Sequence, residues 1–210
     1  LRRPNPEIAT YARVEAVDVR VSARGDDATS AASLVAAASA IVEERLGAHI
    51  WATGATTWSE AIGARLAELG WRLAMTEIGT RGQVAALFGD VDWLVRDEIL
   101  ADDVAADDDD APALDDPDRL ARPGPLLAAA HAVRDHAVTP VGVAVRARER
   151  GPDTTVSVAI VTPNDERTER RIAFLGGSLG RSRAALTTAA ILLAALRSAS
   201  PADERPASDD

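Results

Sequence analysis

Apolar and polar positions along the chain change period several times, and each change predicts an element. Val17–Arg24 (VDVRVSAR) alternates at period two, the pattern of a half-exposed strand. Asp26-Asp27-Ala28-Thr29 supplies N-cap types, and from Ser30 to Leu46 apolar residues recur at three- and four-residue spacing up to Gly47. That predicts an amphipathic helix. His49–Ala52 predicts a short strand. Thr57 and Glu60 have the spacing of a capping box, Ile62, Leu66 and Leu69 form an apolar stripe, and Gly70 fits the C′ position. Trp71–Met75 predicts a buried strand, residues 76–82 a loop, Gln83–Phe88 a short helix, and Val91–Leu100 a strand. Downstream come a helix over Pro125–His136 and two alternating strands, Val141–Arg148 and Thr155–Val161. The turn Arg150-Gly151-Pro152-Asp153 joins them. A strand over Arg170–Leu175 and an alanine- and leucine-rich helix over about Leu179–Arg197 complete the pattern. The fold class is mixed α/β (α+β), with a minor unit over about 1–53 and a major one over about 55–198.

Composition alters this picture at one stretch. Nine of the eighteen residues in 101–118 are aspartate, with prolines at 112 and 117. Mutual repulsion and few apolar side chains predict a disordered loop. The spacing and glycine of an EF-hand are missing, so calcium is not expected. A polar tail over 199–210 is likewise expected to be disordered.

The 210 residues suffice for an ordinary core without staples. There is no cysteine, hence no disulfide framework and no thiol chemistry. His49, His131 and His136 are too scattered for a zinc site. No metal and no cofactor are expected. The net charge of −10 argues against nucleic acid, which needs a basic footprint. No run of eighteen apolar residues and no signal peptide stand out, so a cytoplasmic protein without a membrane partner is expected. The first residue is Leu1 rather than Met, which suggests a piece of a longer protein. Every basic side chain is arginine, and the single tyrosine is Tyr11, so no lysine base exists.

The order of motifs carries a resemblance. A helix ending in glycine, then Leu73-Ala74-x-x-Glu77-x-x-Thr80-x-Gly82, a helix, Pro140-Val141-Gly142, a hairpin, and a glycine- and arginine-containing start to a final Ala/Leu helix resemble the C-terminal domain of the CinA (competence/damage-inducible) family. That domain is the nicotinamide-nucleotide amidohydrolase module. Pro4–Ala12, the VDVRVSARG strand and its helix are similar to the family's KH-like middle domain. The resemblance implies a KH-like strand–helix–strand domain at 1–53 and a larger three-layer α/β domain at 55–198. It also implies a molybdopterin-binding-like domain ahead of Leu1, and a homodimer.

The implied chemistry is broken in this sequence. The family motif resembles Ala-Glu-Ser-Cys-Thr-Gly-Gly, and the matching stretch is Thr76-Glu77-Ile78-Gly79-Thr80-Arg81-Gly82. The nucleophilic serine falls on Ile78, and a hydrocarbon cannot attack an amide carbonyl. The family's tyrosine and lysine fall on Leu100 and Ala105 in ungapped register. A glycine-rich loop ahead of Pro140-Val141-Gly142 reads as deleted. The expected function is therefore a degenerate member without amidase activity: a pseudoenzyme serving as a structural, oligomerising or ligand-binding module.

The alternative is a nicotinamide mononucleotide deamidase using Thr80 or Thr76 as a substitute nucleophile, with Glu77 or His131 as base. Against it, Thr80 is a helix cap by residue type and Glu77 a helix-dipole partner. Gly79 and Gly82 would shape the pocket loop. Gly176-Gly177-Ser178-Leu179-Gly180-Arg181-Ser182-Arg183 opens the final helix. Ser178, Arg181 and Arg183 are candidate contacts for a small phosphate-bearing ligand there. No Gly-x-x-Gly loop is present in the KH-like part, so RNA is not an expected partner. Trp51, Trp58, Trp71 and Trp93 are expected as core or interface anchors.

Overall fold

The computed structural model describes residues 4–13, 16–101 and 124–200. The acidic segment 101–118, apart from Ala101, and the tail beyond residue 200 lie outside the described residues. The chain divides into two compact units, Leu1–Ala55 and Thr56–Asp210.

In the first unit β1 (Glu7–Ala12) pairs antiparallel with β2 (Val17–Ser22), with Ile8 opposite Val21 and Thr10 opposite Val19. Helix α1 (Ala28–Leu46) follows. The Asp27 carboxylate accepts the Ser30 amide at 2.7 Å, and its pKa lies below the usual aspartate value because of the Ser30 hydroxyl and amide. The strand expected at His49–Ala52 is not formed. Gly47–His49 make a single 3-10 turn and the chain then runs irregularly to α2. The partner of β2 is β1, so the order is strand–strand–helix rather than strand–helix–strand. Only Ala38 of α1 is buried, and Ile8, Val17 and Ile41 are exposed.

The second unit holds α2 (Trp58–Leu69), β3 (Leu73–Ile78), α3 (Gln83–Phe88), β4 (Leu94–Leu100), α4 (Pro125–Ala137), β5 (Val141–Arg150), β6 (Asp153–Val161), β7 (Glu166–Ala173) and α5 (Gly177–Ser198). The capping box forms: the Thr57 amide donates to Glu60 at 2.8 Å and the Glu60 amide to the Thr57 hydroxyl at 3.2 Å. Gly70 stops α2 in the left-handed region at φ 68°.

The sheet order is β4-β3-β5-β6-β7. β3 is parallel to both β4 and β5, whereas β5, β6 and β7 form an antiparallel meander. Ile78, Ala144, Ala159 and Val161 pack with Leu126 and Ala130 of α4. Ile160, one position along β6, points instead toward Ala195 and Ala199 at the end of α5. Side chains alternate across a strand, so α4 covers one face and α5 the other, with α2 and α3 packed against α5. These are the three layers. Trp58 and Trp71 are buried in this unit, and Trp93 meets Phe88 edge-on at 5.1 Å between centroids.

Two boundaries differ from the reading of the sequence. β3 continues through Thr76, Glu77 and Ile78, which were expected in a loop. Parallel neighbours on both sides supply ladder partners that far, with Thr76 opposite Glu98 and Ala144. β7 begins at Glu166 rather than Arg170, because a strand at the sheet edge tolerates polar side chains on both faces. Helix α5 is also long and apolar enough to cross a membrane by length and composition, contrary to expectation. Most of its apolar window (61%) is buried within the protein.

Gly142 fixes how closely α4 approaches β5. A Cβ there would lie 2.1 Å from the Ala130 carbonyl oxygen and 2.6 Å from the Arg134 Cβ.

Candidate functional site

Thr76, Glu77, Ile78 and Thr80 lie at one end of the sheet, the C-terminal end of the parallel strands β3 and β5. In open α/β sheets this is where ligands are usually held. The loop after β3 turns through Gly79 at φ 74°, Arg81 at φ 57° and Gly82 at φ 76°. Arginine rarely adopts this left-handed conformation, which costs roughly 1 kcal/mol, and Arg81 is exposed. A Cβ on Gly82 would lie 2.9 Å from the Ile99 side chain, so the loop is tight against β4.

Glu77 and Thr80 are both fully buried. The Thr80 hydroxyl donates to the Glu77 carboxylate. The same carboxylate accepts the Val84 amide at 3.1 Å and the Ala85 amide at 2.8 Å. These are free amides of the first turn of α3, whose N-cap, Gly82, has no side chain to offer. Glu77 therefore performs the capping that the sequence assigned to Thr80, and Thr80 acts one step removed, by fixing the carboxylate. The expectation of Glu77 as a helix-dipole partner describes this geometry.

Ile78, where the resemblance expects a serine, is 3% exposed and sits in the apolar cluster under α4. Thr76 lies on that same face of β3 by alternation and is 3% exposed. In the β3–β5 register Ile78 stands opposite Arg146, whose side chain is also buried. Ile78, Thr80 and Glu77 are thus closed to solvent, whereas a cavity of about 310 Å³ opens at the opposite end of the sheet. Ile160, Thr162, Arg167 and Ser198 are among its lining.

The connection at Pro140-Val141-Gly142 also belongs to that opposite end, since Val141 pairs with Leu73 and not with Ile78. The α4–β5 link is short, with α4 ending at Ala137 and β5 beginning at Val141. The β5 residues that do reach the tip are Arg146 onward, into the β5–β6 turn.

Of the candidate anion contacts, Arg181 pairs with Glu149 at 3.3 Å, so its charge already has a carboxylate beside it. Ser178 and Arg183 are exposed or partly exposed at the surface. Neighbouring Ser182 donates to the Gln83 side chain at 3.2 Å, tying the start of α5 to the start of α3. Gly180 is the close-contact position of this helix start, where a Cβ would meet the Thr154 hydroxyl at 2.1 Å. The structure thus brings α5 and α3 together and does not gather Ser178, Arg181 and Arg183 into an enclosed site. His131, the other base considered, makes a 3.0 Å pair with Glu166 of β7, a strand at the sheet's far edge from Thr80.

Two charged residues near the tip escaped the reading of the sequence. Asp97 on β4 is half-buried, one Oδ has no partner, and its pKa is raised to about 6 by burial, then by Glu77, then by Glu98. Arg146 occupies the phase of β5 that alternation assigns to solvent. Neither carries a sequence signal, because both depend on which strand lies alongside.

Comparison with known proteins agrees with this architecture. Residues 1–52 match the family model described as the damage-inducible protein CinA KH domain. A CinA-like protein of Deinococcus radiodurans is 36% identical over 89 residues, covering 42% of this chain and 22% of the relative. One from Thermomicrobium roseum is 35% identical over 83 residues, covering 40% and 20%. The matched stretches thus span about a fifth of the length of these relatives. Among solved structures, the competence damage-inducible protein A of Klebsiella pneumoniae superposes at a TM-score of 0.50 with 20% identity. That match covers 69% of this chain and all of that one, and it bears on the fold alone. The chain is thus similar to CinA proteins over its KH-matching residues 1–52 and over the stretches shared with these relatives.

Proposed function

We propose that this CinA-family chain does not cleave amides by the route of the amidase module it resembles, and that its larger unit serves as a structural, oligomerising or ligand-binding module. The observation that carries the reading is Ile78. The position that would carry the attacking oxygen holds a hydrocarbon side chain packed into the core under α4. A nucleophile must come within about 3–3.5 Å of the carbonyl carbon. A branched aliphatic side chain fills that space and offers no lone pair.

The experiment is ammonia release from nicotinamide mononucleotide by the purified chain. Release indistinguishable from the blank is expected. Turnover that disappears in Thr80→Ala would overturn the reading.

One observation favours the alternative, a threonine nucleophile: the hydrogen bond from Thr80 to Glu77 is the arrangement of a hydroxyl beside a base. Burial argues against it. Both groups are closed to solvent, and Glu77 is already held by two backbone amides. Phosphate binding at the start of α5 is tested by thermal shift with inorganic phosphate. A shift lost in Arg181→Ala supports a ligand there, whereas no shift with the unaltered chain removes the ligand-binding part of the reading.

A further inference from the structure

The free edge of the sheet at β7 has an unusual charge order. From Asp165 to Arg171 the chain reads Asp-Glu-Arg-Thr-Glu-Arg-Arg. Among the described residues β7 pairs in a strand ladder only with β6, so its other side is an open sheet edge, where the Arg170 carbonyl accepts from the Arg171 side chain at 3.2 Å. Glu166, Thr168, Arg170, Arg171 and Ile172 are exposed.

We infer that this edge pairs with the same edge of a second copy of the chain, antiparallel about a two-fold axis through Thr168. Three observations lead there. The first is register. A two-fold axis perpendicular to the sheet sets residues of equal parity opposite each other. Centred on Thr168, it places Asp165 opposite Arg171, Glu166 opposite Arg170 and Arg167 opposite Glu169. Every charged residue in the stretch then meets an opposite charge, and Thr168 meets Thr168. Opposite-charge and Thr–Thr pairs are favourable cross-strand neighbours. A shift of the centre to Arg167 opposes Arg167 to itself and Asp165 to Glu169. A shift to Glu169 opposes Glu169 to itself and Arg167 to Arg171. Neighbouring registers are therefore repelled, and one is selected.

The second observation is the behaviour of these charges within one copy. On the α5 face the strand already carries two ion pairs, Asp165 with Arg167 and Glu169 with Arg171. Pairing sets these beside their mirror images and extends two isolated pairs into an alternating network. Charges that merely guard an edge do so by repulsion of like signs; here the signs alternate and complement themselves.

The third is the apolar border. Ile172, Phe174 and Leu179 are 58%, 80% and 63% exposed at the end of β7 and the start of α5. In the selected register Ile172 lies opposite Asn164, so this cluster overhangs the β6–β7 turn of the second copy. The oligomerising part of the proposed function thereby gains a surface. Dimerisation here does not depend on whether an amide is cleaved, because the ammonia assay and the assay below fail separately.

The test uses charge exchange in the full chain, read by sedimentation equilibrium. The unaltered chain is expected to dimerise. Arg170→Glu sets two carboxylates against each other, the new one and that of Glu166, at two symmetric places. It is expected to weaken the dimer about tenfold or more. Glu166→Arg opposes two arginines with the same result. The double exchange, or an equimolar mixture of the two single variants, restores every pair and should recover the dimer. A second measurement uses the absence of cysteine from this chain. Thr168→Cys is expected to form an intermolecular disulfide under mild oxidation, since directly opposed residues have the required Cα separation. Exposed Asp92→Cys should not. A chain that is monomeric at every concentration, a dimer unmoved by Arg170→Glu, loss of association not recovered by the double exchange, or assembly beyond a dimer would each overturn the inference.

Discussion

Strands β3 and β7 lie in one sheet, and both carry glutamate. In β3 all six residues are buried, and the Glu77 carboxylate is occupied by three donors inside the protein. In β7 only Ala173 is buried, and Glu169 faces Arg171 at the surface. The residue type is the same and its role is opposite, because β3 has neighbours on both sides and β7 on one. A buried charge is tolerated only when fully satisfied, so it becomes part of the scaffold. A charge on an open edge costs little to keep and stays available to another molecule. A site can therefore keep hydroxyl and carboxylate and still be closed to solvent.

Breaking the buried side should give the largest effect. Glu77→Ala strands the Thr80 hydroxyl and the Val84 and Ala85 amides in the interior. We expect a loss of about 3–5 kcal/mol, read from the urea midpoint. A loss near zero would mean water reaches these groups and the site is not sealed. Ile78→Ala should cost about 2–4 kcal/mol by removing packing under α4. Ile78→Ser, which returns a hydroxyl to the family's serine position, should be destabilised at least as much and still release no ammonia from nicotinamide mononucleotide.

Asp97 stands between the two extremes, and its prediction is a pH dependence. Its folded pKa of about 6 lies above the ordinary aspartate value of 3.8, so the folded state holds the proton more tightly than the unfolded one. Stability from this group is therefore lost as pH rises from about 4 through 6. Above pH 6 the charged form carries the full penalty. Asp97→Asn removes this dependence. The variant should match the parent near pH 4 and exceed it above pH 6 by on the order of 1 kcal/mol, a figure reduced because water screens a half-exposed carboxyl. Equal stability differences at pH 4 and pH 7 would refute this. The smallest effect belongs to the edge. Glu169→Ala should change monomer stability by less than about 0.5 kcal/mol, while weakening self-association measurably. A large stability loss would place Glu169 with Glu77 and erase the contrast.

Much of the fold is legible in the sequence. The Thr57–Glu60 box, the Asp27 cap, the Gly70 stop and the hairpin about Gly151 are local events, decided by side chains within a few residues of the backbone they satisfy. The helical stripes and the alternation of β6 come from the same short-range periodicities. That position 78 holds a hydrocarbon side chain is also a fact of the sequence, since it needs only the identity of one residue.

The tertiary structure decided what depends on neighbours far along the chain. Alternation in Val141–Arg148 assigns Arg146 to solvent, yet β5 runs through the middle of the sheet with a helix layer on each face, and Arg146 is buried. The apolar run His49–Ala52 has the look of a strand, but β2 pairs with β1 instead. Thr80 has the residue type of a cap, and a carboxylate from the preceding strand takes that place. Strand order likewise left β7 with an open side and closed both sides of β3. Local periodicity sets which elements form. Which of their polar groups end inside or outside follows from long-range pairing, because burial is a property of the assembled layers.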